Sequence, residues 1–217
     1  AYHTPADKIP THGTDVMGMR YAYDILKIKW KDKGLKFYKV STVSYWIQGV
    51  KLEECLGYGE TLFSPFAGIV VEAYSEYPER KWLHPIYDFV LGHGKSVKFI
   101  FGGTPEKNSE LLPIIGNYII MKMVNKEIYA MCAHLRKDSL KVVVGERVEA
   151  NQPIAQIGHS GNSTAPHLHF QLMDRSDLMS AQGVLCSFEE YEVFKEGKWE
   201  NTQGGIPEKL VPIQSCT

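Results

Sequence analysis

The sequence has neither an excess of charge of one sign nor a long hydrophobic run. It carries 24 Lys and Arg against 25 Asp and Glu, a formal net charge of -1 over 217 residues. Nucleic acids and anionic membranes recruit proteins through basic surfaces, so no nucleic-acid partner is expected. A membrane-spanning helix needs about 18 to 20 consecutive apolar residues, and no stretch reaches that length. The polar start at residues 1–5 also lacks the basic and apolar layout of a signal peptide.

Cysteines, helical periodicity and internal repeats are likewise scarce. The four cysteines are Cys55, Cys132, Cys186 and Cys216. Their wide spacing excludes the C-x-x-C pairs of zinc knuckles and of thioredoxin-type redox sites. A chain of 217 residues that is 44% hydrophobic can bury a stable core without disulfides. We therefore expect reduced cysteines and an ordinary globular fold.

What the sequence does contain is short runs of β-branched and aromatic residues separated by Gly, Pro, Asn and Asp, a pattern typical of strands. The predicted strands are Tyr21–Lys29, Phe37–Gln48, Gly68–Tyr74, Ser96–Phe101, Tyr118–Met123, Glu127–His134, Pro153–Gly158, His167–Leu172 and Tyr191–Lys195. One helical turn is predicted at Leu135–Leu140. The alternation of apolar and polar residues favours a mainly β fold, an antiparallel sheet or sandwich.

The chain shows no clear linker, so residues 1–217 are predicted to form one domain. Its core is expected at about residues 12–175, with a C-terminal strap over 176–217. Two long, turn-rich stretches, Lys31–Glu54 and Glu76–Pro113, are predicted to be inserted loops. Long loops on a β scaffold commonly carry recognition, whereas the alternative is that these stretches hold strands which enlarge the sheet.

The strongest local feature is His167-Leu168-His169. Side chains two residues apart on a strand point to the same face, so the two imidazoles share one patch. Pro166 suits the first residue of a strand, which places the pair beside the preceding turn. Imidazole is a common zinc ligand, so the pair suits a shared divalent ion, or one ligand beside one acid–base group. For the pair alone, the alternative is two hydrogen-bonded surface histidines.

Three further residues support a site. His134 ends a second apolar strand, and Asp24 lies inside a third strand among aromatic residues. A carboxylate in such surroundings needs a partner to offset its desolvation, and a metal ion is one such partner. The alternative is that Asp24 faces outward from a half-buried strand. His12 follows the turn-like Pro10-Thr11. The histidines expected to be solvent-exposed are His3, His84, His93 and His159.

Four sequence blocks occur in an order found in one known family. The blocks are Leu62–Val70, Tyr129–Leu135, Val144–Ala155 and Gly158–Phe170. The last of them is similar, almost position for position, to the pattern G-x-[ST]-G-x-[ST]-x-x-P-H-L-H-F. From His12 to about Leu172 the chain resembles the lysostaphin-type, or LytM-like, zinc metallopeptidases, which cut peptide bonds in bacterial cell walls. The resemblance implies the mainly β fold of that family, similar to a barrel-sandwich hybrid.

The resemblance also implies a role for each histidine of the motifs. His169 is expected to be a zinc ligand, while His134 and His167 are expected to be catalytic and to assist the attacking water and the tetrahedral intermediate. The family's H-x-x-x-D motif is absent here. We interpret His12 and Asp24 as the remaining ligands, with the intervening residues looping out.

Two other residues compete for places in the ligand set. Asp15 lies three residues after His12 and is the alternative acidic ligand. Cys132 lies two residues before His134, on the same predicted strand face, and could offer a thiolate to zinc. The family pattern needs no sulfur ligand, so a small packed side chain is expected there.

The resemblance implies a Zn2+-dependent metalloendopeptidase that hydrolyses peptidoglycan stem or cross-bridge peptides outside the cytoplasm or in the cell wall. Two histidines, one aspartate and a water leave the metal one open position, which is the arrangement of catalytic zinc. The alternative is a non-catalytic LytM-like module that binds or regulates other wall hydrolases. A third interpretation, a biotinyl or lipoyl carrier, needs a Met-Lys pair in an exposed turn, whereas Met121-Lys122 lies in a predicted strand.

Overall fold

The structure, a computed structural model, describes residues 1–31, 34–90, 92, 94 and 105–216. In these residues the α-helices are α1 (Thr42–Gln48), α2 (85–90) and α3 (Leu112–Ile115), and short 3-10 helices lie at Val16–Tyr21, Leu52–Glu54 and Asn108–Leu111. Its strands are β1 (Tyr23–Ile25), β2 (Lys29–Lys31), β3 (Gly34–Lys36), β4 (Val50–Lys51), β5 (Thr61–Phe63), β6 (Gly68–Tyr74), β7 (Trp82–Leu83), β8 (Asn117–Met123), β9 (Tyr129–Leu135), β10 (Arg147–Val148), β11 (Pro153–Gln156), β12 (Leu168–Met173), β13 (Gly183–Val184), β14 (Phe188–Lys195), β15 (Lys198–Gly205) and β16 (Ile213–Gln214). Among the described residues, no helix has the length and apolar character needed to cross a bilayer.

A seven-stranded sheet forms the centre of the molecule. Its strand order is β1-β12-β9-β8-β6-β10, and β13 pairs with the far end of β12. Each of these pairings is antiparallel. The predicted mainly β, antiparallel class is therefore confirmed.

Alternating side chains pack both faces of the central sheet. In β8, Ile119 and Met121 point into one apolar layer, whereas Tyr118 and Ile120 point into the other. All four are buried. Complete burial of one such side chain stabilises the fold by about 1.5–3 kcal/mol, so both layers hold the sheet firmly. This packing gives the functional residues at the sheet's edge a rigid support.

Two of the predicted elements are wrong, and one lies outside the described residues. Within Phe37–Gln48, the residues from Thr42 onward form α1, because Ser41 caps the helix by accepting a hydrogen bond from the Ser44 amide at 3.0 Å. Leu135–Leu140 contains a turn rather than a helix, since its first residue still belongs to β9. Ser96–Phe101 lies outside the described residues.

The predicted inserted stretches do not extend the central sheet in the part of the chain that the structure describes. The first holds the hairpin β2–β3, helix α1 and strand β4, and β4 pairs with β7 from the second. The C-terminal residues form more than a strap, because β14, β15 and β16 make a three-stranded antiparallel sheet. Its β14–β15 hairpin turns at residues 196–197, where both backbones have positive φ.

The turn before β12 depends on the close approach of Gly161 to the backbone of Gly116. Gly161 has a φ of +70°, and a Cβ there would lie 2.6 Å from the Ile114 carbonyl oxygen. We expect Gly161→Ala to lower the free energy of unfolding by about 2–4 kcal/mol, because backbone atoms cannot move aside as a side chain can. Gly145→Ala is the control, since Gly145 also has a positive φ but has no neighbour within 4 Å of the added carbon. Equal losses of stability in a denaturant titration would show that close approach contributes nothing.

Candidate metal centre

A row of directly opposed residues crosses the edge of the central sheet. Asp24 on β1 faces His169 on β12, and His169 faces Ala133 on β9. His3 forms an isolated antiparallel bridge with Asp24 on the outer side of β1. Directly opposed residues project to the same face of a sheet, so the side chains of this row meet. The sheet register thus brings together groups that are distant in sequence, such as His3 and His169, which lie 166 positions apart.

His12 reaches the same place through a loop that returns on itself. The Thr11 amide donates to the Arg20 carbonyl at 3.1 Å, which closes the loop and places His12 beside Asp24. Asp15 lies on this loop but points away, in a two-pronged ion pair with Arg20 at 2.9 Å for both oxygens. The structure therefore places Asp24, and not Asp15, among the histidines.

The Asp24 carboxylate is the centre of the cluster. Its Oδ2 lies 3.0 Å from His12 Nε2 and 2.6 Å from His3 Nδ1. Its Oδ1 lies 2.9 Å from His169 Nδ1 and 3.4 Å from His167 Nε2. The ligand atoms of His3, His12 and Asp24 all lie within 4.8 Å of one another. Burial alone would raise the pKa of Asp24, but the neighbouring His167 charge and the imidazole hydrogen bonds outweigh burial and hold it well below its usual range.

Hydrogen bonds behind His12 define which of its nitrogens carries hydrogen. The Thr11 hydroxyl donates to the Met19 carbonyl at 3.0 Å, so it accepts from His12 Nδ1, also at 3.0 Å. Neutral His12 therefore presents a bare lone pair at Nε2 toward Asp24. Burial lowers the pKa of His12, which favours this neutral form.

His169 is oriented in the same way by Gln171. The Gln171 amide nitrogen donates to the Met17 carbonyl at 2.6 Å, which leaves its oxygen as the acceptor for His169 Nε2 at 2.9 Å. The His169 Nδ1 lone pair then faces the Asp24 carboxylate. Outer partners of this kind hold the ligand tautomer in many metal sites.

With the outer nitrogens of His12 and His169 engaged in these contacts, their inner nitrogens converge on the buried Asp24 carboxylate, and all of these atoms are acceptors unless a proton or another cation lies between them. Such an arrangement of acceptors needs a cation to offset the repulsion, either protons or a metal ion. Imidazole nitrogen and carboxylate oxygen are the donors that Zn2+ takes in catalytic sites. The residues His12, Asp24 and His169 fit a zinc ion by the chemistry of their donors.

His134 stands at a β-bulge with a left-handed backbone. Asn117 of β8 pairs with Leu135, and Tyr118 pairs with Ala133, so His134 is the extra residue between them. Its φ is +61°, a region that residues other than glycine seldom adopt. Bulges redirect side chains at the ends of strands, and here the bulge directs the imidazole toward the cluster.

The same bulge changes the predicted relation between Cys132 and His134. Met131 and Ala133 line the cavity over the cluster, whereas Cys132 packs in the opposite apolar layer. The prediction that Cys132 and His134 share a face is wrong, because the extra residue breaks the alternation of the strand. Burial raises the pKa of the Cys132 thiol to about 12, so Cys132 is a packed neutral side chain.

His134 is held neutral, with its Nε2 atom free of hydrogen. Its Nδ1 donates to the Ser160 carbonyl at 2.9 Å, which leaves the Nε2 lone pair directed at the site. Burial, together with the neighbouring imidazoles of His167 and His169, holds the pKa of His134 well below its usual range. Its ring centre lies 4.8 Å from that of His167.

His167 differs from His134 in its charge. Its Nδ1 donates to the Ala165 carbonyl at 2.7 Å, so Nε2 faces Asp24. Burial acts to lower the pKa of His167, but the Asp24 carboxylate outweighs burial and raises it. The two predicted catalytic histidines therefore stand side by side, one neutral and one favoured in its charged form.

A cavity of about 530 Å³ opens over the cluster. All the histidines of the cluster and Asp24 border it. Much of the remaining wall is apolar: Val16, Met17, Met19, Ile114, Ile115 and Met131. A partly polar, mostly apolar cavity of this size can hold several residues of an extended peptide.

The expectation of solvent exposure is wrong for three of the four remaining histidines. His159 is buried, and His3 is half-buried against Asp24. His84 is half-buried, and His93 lies outside the described residues. The sequence carries no signal for His3, because its place depends on the N-terminal segment pairing with β1.

His159 belongs to a polar network that the sequence did not reveal. Arg80 forms an ion pair with buried Asp88 at 2.9 Å and donates to His159 Nε2 at 2.8 Å. His159 Nδ1 then donates to Ser163 Oγ at 3.1 Å, and Ser163 Oγ lies 3.2 Å from His167 Nδ1. The inserted stretch that contains Arg80 thus supports the loop beneath His167.

The hydrogen bond between Gln171 and His169 can be tested by mutation. We expect Gln171→Leu to weaken zinc binding by about 10- to 100-fold, because His169 loses the acceptor that holds its Nε2 hydrogen. Competition against a chromophoric chelator measures the affinity. The matched control is Gln214→Leu, at an exposed position on β16 remote from the cluster. Equal affinities for both variants would contradict the role assigned to Gln171.

Comparison with known proteins gives partial matches. Over 43 residues the chain is 56% identical to the glycyl-glycine endopeptidase ALE-1 of Staphylococcus capitis, covering 20% of this chain and 11% of that protein. Over 128 residues it is 28% identical to the peptidoglycan DD-endopeptidase ShyA of Vibrio cholerae serotype O1, covering 50% of this chain and 29% of that protein. The chain thus spans less than a third of the length of either relative.

A solved structure also shows similarity. The catalytic domain of the antimicrobial peptidase lysostaphin from Staphylococcus simulans is 19% identical and superposes with a TM-score of 0.37, covering 74% of this chain and 85% of that one. At this TM-score the likeness supports no further inference.

Residues 83–181 match the sequence model of Peptidase family M23. This range includes His134, His167 and His169, whereas His12 and Asp24 precede it. The lysostaphin-type resemblance predicted from the motifs is confirmed by this match.

Proposed function

We propose that this protein is a zinc-dependent endopeptidase that hydrolyses peptide bonds in peptidoglycan stem or cross-bridge peptides. The observation that carries the proposal is the convergence of the imidazole nitrogens of His12 and His169 on a buried carboxylate, beside neutral His134 in an open cavity. The M23 match and the two endopeptidase relatives support it. The protein would act outside the cytoplasm, where such substrates are found.

In the proposed mechanism, His12, Asp24 and His169 hold the metal. A zinc ion on these donors supplies the positive charge that lowers the pKa of a water molecule toward about 7. Asp24 contributes one negative charge, and Gln171 keeps the His169 lone pair directed at the site. The apolar wall of the cavity excludes competing water from the scissile bond.

His134 and His167 divide the proton transfers. His134 Nε2 accepts the proton of the attacking water, because its Nδ1 hydrogen is held by the Ser160 carbonyl. His167 carries a hydrogen at Nε2 and stabilises the developing oxyanion. His134 then passes its proton to the leaving amine.

The alternative is a non-catalytic module that binds or regulates other wall hydrolases. Such a module needs no aligned proton acceptor, so the strained backbone of His134 and its bare Nε2 favour catalysis.

The test is metal content followed by substrate cleavage. We expect about one zinc per chain by elemental analysis, and cleavage either of a peptide with glycyl-glycine bonds or of a peptidoglycan stem peptide that contains D-Ala. The names of the two relatives, a glycyl-glycine endopeptidase and a peptidoglycan DD-endopeptidase, suggest this choice of substrates. Removal of the metal with a chelator should abolish cleavage, and added zinc should restore it. Absence of zinc binding would overturn the proposed mechanism and favour the binding module, as would stoichiometric zinc with no cleavage of wall fragments.

A further inference from the structure

The orientation of His134 depends on two backbone segments that lie side by side. One is the chain that leaves the end of β9 and reaches Lys137. The other contains Ser160, whose carbonyl accepts the Nδ1 hydrogen of His134 at 2.9 Å. Between them, the Gly158 amide donates to the His134 carbonyl at 3.1 Å. The direction of the imidazole is therefore set by how closely these two segments are held together.

The carboxylate of Glu79, from the second predicted inserted stretch, joins the two segments. Its Oε2 accepts from the Lys137 amide at 2.9 Å, and its Oε1 accepts from the His159 amide at 2.6 Å. The Tyr58 hydroxyl also donates to Oε2, at 3.3 Å. Hydrogen bonds to a charged acceptor are about twice as strong as those between neutral groups. One side chain thus fastens the end of β9 to the residue before Ser160.

The next residue, Arg80, makes the corresponding contacts for His167. Its Nη2 donates to the Ser163 carbonyl and to His159 Nε2, both at 2.8 Å. The Ser163 hydroxyl in turn donates to the Ala165 carbonyl at 2.7 Å. That same carbonyl accepts the Nδ1 hydrogen of His167, also at 2.7 Å. Arg80 therefore holds the turn whose carbonyl orients His167.

We propose that Glu79 and Arg80 are positioning residues, Glu79 for His134 and Arg80 for His167. This inference rests on the proposed function, in which the two histidines carry out the proton transfers. His134 has a left-handed backbone, and such a residue persists only where its surroundings hold it. Neither Glu79 nor Arg80 is among the described residues that line the cavity, so each acts through the residues beneath the histidines. A shift of about 1 Å in a catalytic group can cost about 10²-fold in rate.

The experiment labels the histidines with 15N and measures, in the purified protein, how fast the Nδ1 hydrogens of His134 and His167 exchange with solvent. We expect Glu79→Gln to speed the exchange at His134 by at least about tenfold and to leave His167 nearly unchanged, because a side-chain amide cannot accept from both backbone amides. Glu79→Asp keeps the charge on a side chain one methylene shorter and should give an intermediate rate. Glu76→Gln, at an exposed glutamate of the same stretch, is the matched control and should change neither rate.

Arg80→Lys should have the opposite selectivity. Lysine keeps a positive charge beside Asp88 but lacks the planar guanidinium that reaches Ser163 and His159 together. We therefore expect faster exchange at His167 and little change at His134. In both Glu79→Gln and Arg80→Lys, kcat should fall by about 10- to 100-fold while KM and zinc content stay nearly constant, because the cavity wall and the metal ligands are untouched.

The outcomes separate this inference from the proposed function. If a variant speeds the exchange of both hydrogens alike, or leaves that of its own histidine unchanged, the role assigned to that residue is wrong even where peptides are cleaved. If each variant speeds exchange at its own histidine alone, both positioning roles are supported. They are then supported even where no form of the protein cleaves a peptide, a result that would overturn the proposed function only.

Discussion

Asp24→Asn is expected to remove zinc from the protein and to reduce peptide hydrolysis below detection. The carboxylate is the only negative charge that the structure brings to the histidine cluster among the described residues, and an amide oxygen is a far weaker ligand for zinc. The fold should survive, because the amide hydrogens of asparagine can donate to the imidazole lone pairs that face position 24. Elemental analysis of zinc per chain, with circular dichroism of the same sample, measures both effects.

Asp15→Asn is the matched control for that experiment. Asp15 is exposed and paired with Arg20, so its loss should leave zinc content and hydrolysis nearly unchanged. Surface ion pairs of this kind contribute about 0–1 kcal/mol, and stability should change little. Zinc lost from Asp15→Asn but retained in Asp24→Asn would move the acidic ligand to Asp15 and would show that the loop carrying His12 closes differently in solution.

His134→Asn is expected to retain zinc while lowering the hydrolysis rate by about 10²- to 10⁴-fold, the usual contribution of a general base. Asparagine tolerates the left-handed backbone at this bulge. Its side-chain amide can also replace the hydrogen bond to the Ser160 carbonyl. What it lacks is a basic nitrogen, so the variant isolates proton transfer from folding and from metal binding.

Single-turnover kinetics on zinc-loaded protein measures the chemical step directly. His84→Asn is the control, because it makes the same replacement outside the cluster and should keep the full rate. A His134→Asn protein that loses zinc as readily as Asp24→Asn would make His134 a ligand. An unchanged rate with zinc retained would assign the proton transfer to His167.

The different protonation of His134 and His167 shows what a sequence motif can predict and what it cannot. The H-x-H spacing is enough to place His167 and His169 on one face of a strand, because side-chain direction alternates along any strand. The motifs do not indicate whether His134 or His167 is the neutral imidazole. That difference comes from burial beside other imidazoles for His134 and from the nearby Asp24 carboxylate for His167, both of which are long-range contacts.

Helix α1 is an element whose type the sequence pattern did not predict. Its residues include Val43, Tyr45, Trp46 and Ile47, a composition that favours a strand. These residues nevertheless form a helix, which the Ser41 side chain caps at its start and which ends at Gly49, with a φ of 72°. Because α1 buries no side chain completely, apolar periodicity could not reveal it.

By itself, the sequence determined the mainly β class, the family resemblance and the histidines of the motifs, because these follow from local alternation and from contiguous residues. Only the tertiary structure decided that Asp24 rather than Asp15 meets the histidines, that a bulge redirects His134, and that His3 joins the cluster. Each of these depends on the register between strands distant in sequence. Register is set by the packing of whole faces, and no short stretch of sequence carries that information.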